Sequence, residues 1–295
     1  MILLKTKELL LRSNIKNTGE ATFQADHSDC QRVPQLMGII NITEDSFFDG
    51  GRYLNPDSCL KQAEKLIQDG ADILDIGAES SRPGAKPVEE EKELERIKSF
   101  LHAFTNRSGI QISIDTSRSS VAKMALESGA HIINDIYALR RDPALVHVIK
   151  ETGCKVVLMH MQGTPDTMQI NPHYNEVIGE IGDFFKERID FAVKNGINED
   201  KIILDPGIGF GKGLNHNLTI IKRIKEFKTL GFPLLIGASR KSFIGNILNK
   251  SPQDRLYGTA AVVAYLAQND VEYIRVHDVA EMKDVILVAQ AIKNG

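Results

Sequence analysis

Short apolar runs recur along this 295-residue chain, and each one stops at a polar, ionisable or glycine residue. Leu36-Met37-Gly38-Ile39-Ile40 stops at Asn41, Ile73-Leu74-Asp75-Ile76 at Gly77, Ile112-Ser113-Ile114 at Asp115, and Ile132-Ile133 at Asn134-Asp135. Val156-Val157-Leu158-Met159 stops at His160, Ile202-Ile203-Leu204 at Asp205, Leu234-Leu235-Ile236 at Gly237, and Tyr273-Ile274-Arg275-Val276 at His277. Continuous apolar runs bounded by turn residues predict strands buried on both faces. Helices suit the gaps: Pro56–Gln68 opens on Pro, 88–104 has an acidic first turn, and 175–194 is amphipathic and closed by Asn195-Gly196. Segment 260–267 is apolar on nearly all sides, which fits either a helix buried in a shell or a subunit interface. About eight strands alternating with helices predict an α/β fold of the (β/α)8 TIM barrel class, with chemistry on the loops after the carboxyl ends of the strands. A doubly wound open sheet shares the local pattern and is the structural alternative.

Such a barrel needs about 250 residues. The surplus falls at residues 1–34, a short N-terminal extension in which Leu3-Leu4 and Leu9-Leu10-Leu11 suit a strand pair or arm packed on the barrel bottom. Residues 35–295 show no linker or low-complexity tract and are expected to form one barrel domain. A formal net charge of -3 argues against nucleic acid or an anionic membrane as partner. No apolar run reaches about 18 residues and the first residues lack a signal-peptide order, so a soluble, cytoplasmic protein is expected. Cys30, Cys59 and Cys154 are scattered without a CxxC pair, which disfavours a disulfide framework or structural zinc.

Several strand ends carry groups suited to a small ligand. Asn41-Ile42-Thr43-Glu44-Asp45-Ser46-Phe47-Phe48-Asp49-Gly50-Gly51 packs polar side chains into a Gly-terminated loop, which fits a site or a capped turn. Arg275 and His277 are two positions apart, so both point into the barrel mouth if Val276 faces the helices. That spacing suits a phosphate or diphosphate; the alternative is an Arg paired with a neighbouring carboxylate. Ser239-Arg240-Lys241-Ser242 adds two cations and two hydroxyls where a helix begins. Asp115, Asn134 and Asp205 offer acceptors and an amide for a flat nitrogen-rich heterocycle, although an Asp at a strand end also serves as a helix cap. The glycines of Gly207-Ile208-Gly209-Phe210-Gly211-Lys212 suit a tight turn beside a ligand better than a nucleotide loop. His160 lacks the paired spacing of a zinc site and reads as a donor or core histidine. A magnesium ion riding on a diphosphate needs one protein oxygen, which Asn41 could supply.

At these residues the chain resembles the dihydropteroate synthases of the folate pathway. The likeness runs from about Met37 to the C-terminus through Asn41-Ile42-Thr43, Asp45-Ser46-Phe47, Glu79-Ser80-Ser81-Arg82-Pro83-Gly84, Asp115-Thr116, Asn134-Asp135, Asp205-Pro206-Gly207, Ser239-Arg240-Lys241-Ser242 and Arg275-Val276-His277-Asp278. The resemblance implies a transferase that joins 6-hydroxymethyl-7,8-dihydropterin diphosphate to 4-aminobenzoate and releases pyrophosphate, and that is a target of sulfonamides. It assigns Asp115, Asn134, Asp205 and Lys241 to the pterin, and Asn41, Arg275 and His277 to the diphosphate and its magnesium. It places Ser81 and Arg82 on a loop over the reacting centre and Phe210, Lys241 and Ser242 at the aminobenzoate. It also implies a homodimer, with segment 260–267 as a contact. Two departures stand out: Glu44 where the family has Pro, and Ser81 where it has Thr. The rival readings are a pterin-binding methyltransferase domain, which has no reason to keep the Ser239-Arg240-Lys241-Ser242 loop and the Arg275/His277 pair, and a catalytically silent pterin-binding homologue.

Overall fold

The computed structural model describes residues 14–15, 21–22, 33–42, 56–79, 88–104 and 109–295. The chain divides into two compact units, Met1–Arg32 and Val33–Gly295. In the first, Asn14–Ile15 pairs antiparallel with Ala21–Thr22. The expected packing of residues 1–34 on the barrel bottom lies outside the described residues.

The second unit carries eight parallel strands: β1 Gln35–Asn41, β2 Ile73–Gly77, β3 Gln111–Asp115, β4 Ile132–Asp135, β5 Lys155–Met159, β6 Ile202–Asp205, β7 Leu235–Ile236 and β8 Tyr273–Val276. Their order is β6-β5-β4-β3-β2-β1-β8-β7, and a bridge from Leu204 to Leu234 joins the two ends. The open-sheet alternative is therefore excluded: the sheet closes into the barrel expected from the sequence. Each sequence run named above coincides with one strand. Helices α1 Pro56–Gln68, α2 Glu90–Ala103, α3 Ser119–Glu127, α4 Leu145–Thr152 and α5 Val177–Lys194 follow the first five strands. After β6 come α6 Leu214–Lys222 and α7 Lys225–Lys228; α8 Ser242–Leu248 and α9 Leu256–Gln268 follow β7, and α10 Val279–Asn294 closes the unit.

Side chains alternate along a strand, so each strand splits its residues between the interior and the helical shell. Leu36, Ile40, Leu74, Ile76, Ile112, Ile114, Ile133, Val156, Leu158, Ile274 and Val276 belong to the large core between strands and helices. Met37, Ile73, Ile132, Val157, Ile203, Leu235 and Tyr273 form a separate buried cluster, the floor inside the barrel. Both faces of the sheet are thus dry, which is why the strands read as unbroken apolar runs. Helix α9 is only half covered. Thr259, Val263, Leu266 and Ala267 are buried, whereas Tyr257 and Tyr265 are exposed on the opposite side.

Candidate active site

Two residues above the floor, the interior changes character on four of the strands. Ile73 is followed inward by Asp75, Ile132 by Asn134, Ile203 by Asp205 and Tyr273 by Arg275; all but Arg275 are buried. Asp115 and His277 lie one further step toward the carboxyl ends of β3 and β8. Gly77 is paired with Asp115 across the sheet, and a Cβ there would come within 3.3 Å of the Asp115 Cβ. The missing side chain leaves room for the carboxylate.

Arg275 enters the mouth as its spacing predicts, with Val276 fully buried in the shell. It meets two carboxylates there: Nε donates to Asp75 at 2.6 Å and Nη2 to Asp115 at 3.1 Å. The paired alternative read from the sequence is therefore the arrangement this structure adopts. Burial pushes the Asp115 carboxyl well above the usual carboxylate range; Arg275 pulls the other way and Asp75 adds like-charge repulsion. Asp205 is pushed up to about 6, mainly by burial, against the Gly207 amide and the Lys241 charge. Burial brings Lys241 down to about 8, with Asp205 opposing. Its ammonium lies 4.1 Å from the centre of the Phe210 ring.

The segment after β6 is a fixed ledge. Asp205 Oδ1 accepts from the Gly207 amide at 2.7 Å, so this Asp caps its own turn and still lines the mouth. Gly207 has φ +68°, and a Cβ there would lie 2.0 Å from the His160 carbonyl oxygen, so no other residue fits. Lys212, which the sequence reading passed over, is buried beneath the ledge. Its ammonium lies 2.9 Å from His160 Nδ1 and donates to the Phe210 carbonyl at 2.9 Å and the His160 carbonyl at 3.3 Å. Burial lowers Lys212 to about 7 and, with the Lys212 charge, His160 to about 2. His160 is thus a buried, neutral histidine held against Lys212, the core half of its sequence reading. Tyr174 Oη donates to the Gly211 carbonyl at 2.9 Å, and the Gly209 amide to Asn217 Oδ1 at 2.7 Å.

The two cations after β7 part company. Arg240 has φ +57° and turns away to a bidentate pair with Asp278, while Lys241 enters the mouth. The expectation of two cations facing the mouth is corrected to one. Ser242 opens α8 and is exposed, outside the residues that line the mouth. Ser239 is buried, with its Oγ 3.0 Å from His277 Nδ1 and accepting from the His277 amide at 3.3 Å. Its buried hydroxyl is held at both the ring and the amide of His277, so it braces that residue. Asn41 ends β1, half-buried. Glu44, Ser81 and Arg82 lie outside the described residues.

Asp115, Asn134, Asp205, Lys241 and Arg275 line one cavity with Ile136, Met159, Ile208 and Phe210, and Gly237 completes it. Acceptors and an amide line a slot with an apolar wall, and cations share its edge. That arrangement defines an enzyme of the (β/α)8 barrel class acting on a small, planar, hydrogen-bonding ligand with an anionic part.

The comparisons narrow the class. The model of the family described as "Pterin binding enzyme" matches residues 37–277. Dihydropteroate synthase of Escherichia coli strain K12 is 44% identical over 258 residues, covering 88% of this chain and 91% of that protein. Xanthomonas albilineans dihydropteroate synthase, solved with 4-aminobenzoic acid, superposes with TM-score 0.83 at 37% identity over 89% of this chain and 94% of that one. The same enzyme in complex with 7,8-dihydropteroate gives TM-score 0.80 at 35% identity over the same shares of the two chains. The chain belongs to the dihydropteroate synthase family of pterin-binding enzymes.

Proposed function

We propose that this chain condenses 6-hydroxymethyl-7,8-dihydropterin diphosphate with 4-aminobenzoate, yielding 7,8-dihydropteroate and pyrophosphate. The observation that carries the reading is the cavity in which Asp115, Asn134 and Asp205 face an apolar wall beside Lys241 and Arg275. The pterin ring lies in that slot, its N–H groups donating to Asp205, Asp115 and the Asn134 carbonyl. Buried donors and acceptors of this kind discriminate strongly, because a ligand that cannot match them leaves them unpaired. The amine nitrogen forms a bond to the pterin methylene carbon, the carbon–oxygen bond to the diphosphate breaks, and its electron pair leaves with pyrophosphate. The proton lost by the amine passes to water. Nearby carboxylates make positive charge at the methylene tolerable, and Lys241 and Arg275 make the negative leaving group so. No enzyme nucleophile is required, and positioning carries much of the rate.

Magnesium is part of the same proposal. Among the described residues no three His, Cys, Asp or Glu side chains gather to hold a metal. A site borrowed from the substrate fits that better than a resident one: Asn41 would give one oxygen, the diphosphate others, and water the rest. Bound there, the ion would neutralise charge on the departing diphosphate. His277, braced by Ser239, and Arg275 share that role at the rim. On the strength of the family motif we assign Ser81 and Arg82 to a loop over the reacting centre, and Ser242, with Phe210 and Lys241, to the aminobenzoate.

A cytoplasmic homodimer completes the proposal. Tyr257 is 80% exposed on α9, and Ile247, Leu248, Leu287, Val288 and Ile292 are exposed on α8 and α10. Such apolar surface is what a second copy would cover. The reduced thiols Cys59 and Cys154 suit a reducing compartment, and no described helix is long and apolar enough to cross a membrane.

A coupled pyrophosphate assay tests the reaction. Release is expected only with magnesium and both substrates present; binding of the pterin without any release would favour a silent binding protein, and transfer of a methyl group would favour the methyltransferase reading.

A further inference from the structure

Asp75 is the one charged residue inside an otherwise apolar run of β2, and it is completely buried one step below the cavity. It is not among the residues lining the mouth, yet two of those converge on it. Its Oδ2 accepts from Arg275 Nε at 2.6 Å and from Asn134 Nδ2 at 3.2 Å. Its Oδ1 has no partner among the described residues, nor has Ser113 Oγ on the residue paired with it across the sheet. A buried carboxylate with one unmatched oxygen is an expensive way to fill a barrel, when Ile, Val and Leu fill the layer beneath. Stability therefore gives no reason for it.

The geometry above it does. Asn134 has one donor end and one acceptor end, and which end faces the ligand depends on what the other end meets. With its amide nitrogen drawn down to Asp75, Asn134 turns its carbonyl oxygen toward the mouth, matching the acceptors Asp115 and Asp205. Arg275, tethered through Nε, is left to reach Asp115 with Nη2. We propose that Asp75 is a positioning residue that sets the hydrogen-bonding polarity of the pterin slot, holding Asn134 as an acceptor and Arg275 in one rotamer. The proposal rests on the pterin reading of the mouth.

Two variants separate this role from a structural one. Asp75→Asn keeps one acceptor oxygen for both donors while removing the charge and turning the unpartnered oxygen into an amide NH2; Asp75→Leu removes charge and acceptor alike. Titration calorimetry with 6-hydroxymethyl-7,8-dihydropterin, which lacks the diphosphate, should show Asp75→Leu weakening binding about 10- to 100-fold, the cost of one or two misdirected buried hydrogen bonds. Asp75→Asn should stay within about tenfold of the wild type and lie clearly above the Leu variant. In both variants the KM for 4-aminobenzoate, read by pyrophosphate release at saturating pterin diphosphate, should remain within about threefold, and thermal unfolding confirms the folded fraction. Equal losses for pterin and aminobenzoate, or no rescue by Asn over Leu in folded protein, would overturn the role given to Asp75. Failure of the wild type itself to bind the pterin would instead overturn the reading of the mouth, and this proposal with it.

Discussion

The floor and the mouth of this barrel are built by the same strands, two residues apart, and obey opposite rules. Floor positions Met37, Ile73, Ile132, Val157, Ile203, Leu235 and Tyr273 are apolar or aromatic and buried. The next inward positions include Asp75, Asn134, Asp205 and Arg275. Burial stabilises the first set by roughly 1.5–3 kcal/mol per side chain. It penalises charge in the mouth, as the raised Asp115 and Asp205 carboxyls and the lowered Lys241 ammonium show. The difference teaches where each kind of free energy goes: the floor holds the barrel shut, and the mouth keeps charges dry so that they act strongly on a ligand.

The largest effect expected from breaking this contrast is at Lys241. Lys241→Met should lower kcat/KM on the order of 10²–10³-fold, as loss of one charge-stabilising contact in a dry site does. Its unfolding free energy should be unchanged or higher, measured by denaturant titration, because a desolvated ammonium is removed. Ile132→Ala in the floor should do the reverse. A stability loss of about 2–5 kcal/mol is expected, with kcat/KM per folded molecule within about twofold.

The pH dependence sharpens the comparison without a mutation. Asp205 ionises near pH 6 and Lys241 loses its proton near pH 8, so kcat/KM for the pterin diphosphate should be bell-shaped with limbs near those values. Stability should run the other way. The folded Asp205 holds its proton more tightly than the unfolded chain, so its contribution falls as pH rises from about 4 to about 6; the folded Lys241 holds its proton less tightly, so stability returns above about 8. Activity would then peak where the mouth's charges cost most, and a rate profile flat from pH 5 to 9 would contradict this. The smallest effect is expected at Phe210, whose ring meets the Lys241 ammonium: Phe210→Leu should raise the KM for 4-aminobenzoate about two- to tenfold, consistent with a contact of about 1 kcal/mol.

Much of the contrast was legible in the sequence, because strands buried on both faces leave continuous apolar runs whose ends are easy to see. Asp115, Asn134, Asp205, Lys241 and Arg275 were found at those ends and line one cavity. What escaped was polar character hidden by its surroundings. Asp75 sits inside an apolar run and so reads as part of a strand, although a lone carboxylate in such a run is itself a signal. Lys212 closes a glycine-rich turn and draws no notice of its own, because nothing local reveals that it is buried against His160, 52 residues away. Arg240 and Lys241 are equivalent in sequence; only the left-handed backbone at Arg240 decides which one turns inward. The half-exposed α9 was ambiguous for a simpler reason: apolar residues on all sides do not say which side the rest of the protein covers.

The most direct test of the contrast uses one strand. Ile203 and Asp205 are both inward on β6, two residues apart, and kcat/KM per folded molecule can be measured for Ile203→Ala and Asp205→Asn alongside their unfolding free energies. The account predicts a crossover: Asp205→Asn loses at least about 100-fold in kcat/KM with stability kept or improved, and Ile203→Ala loses about 2–5 kcal/mol of stability with kcat/KM unchanged. Similar losses of activity in both variants, or full activity in Asp205→Asn, would contradict it.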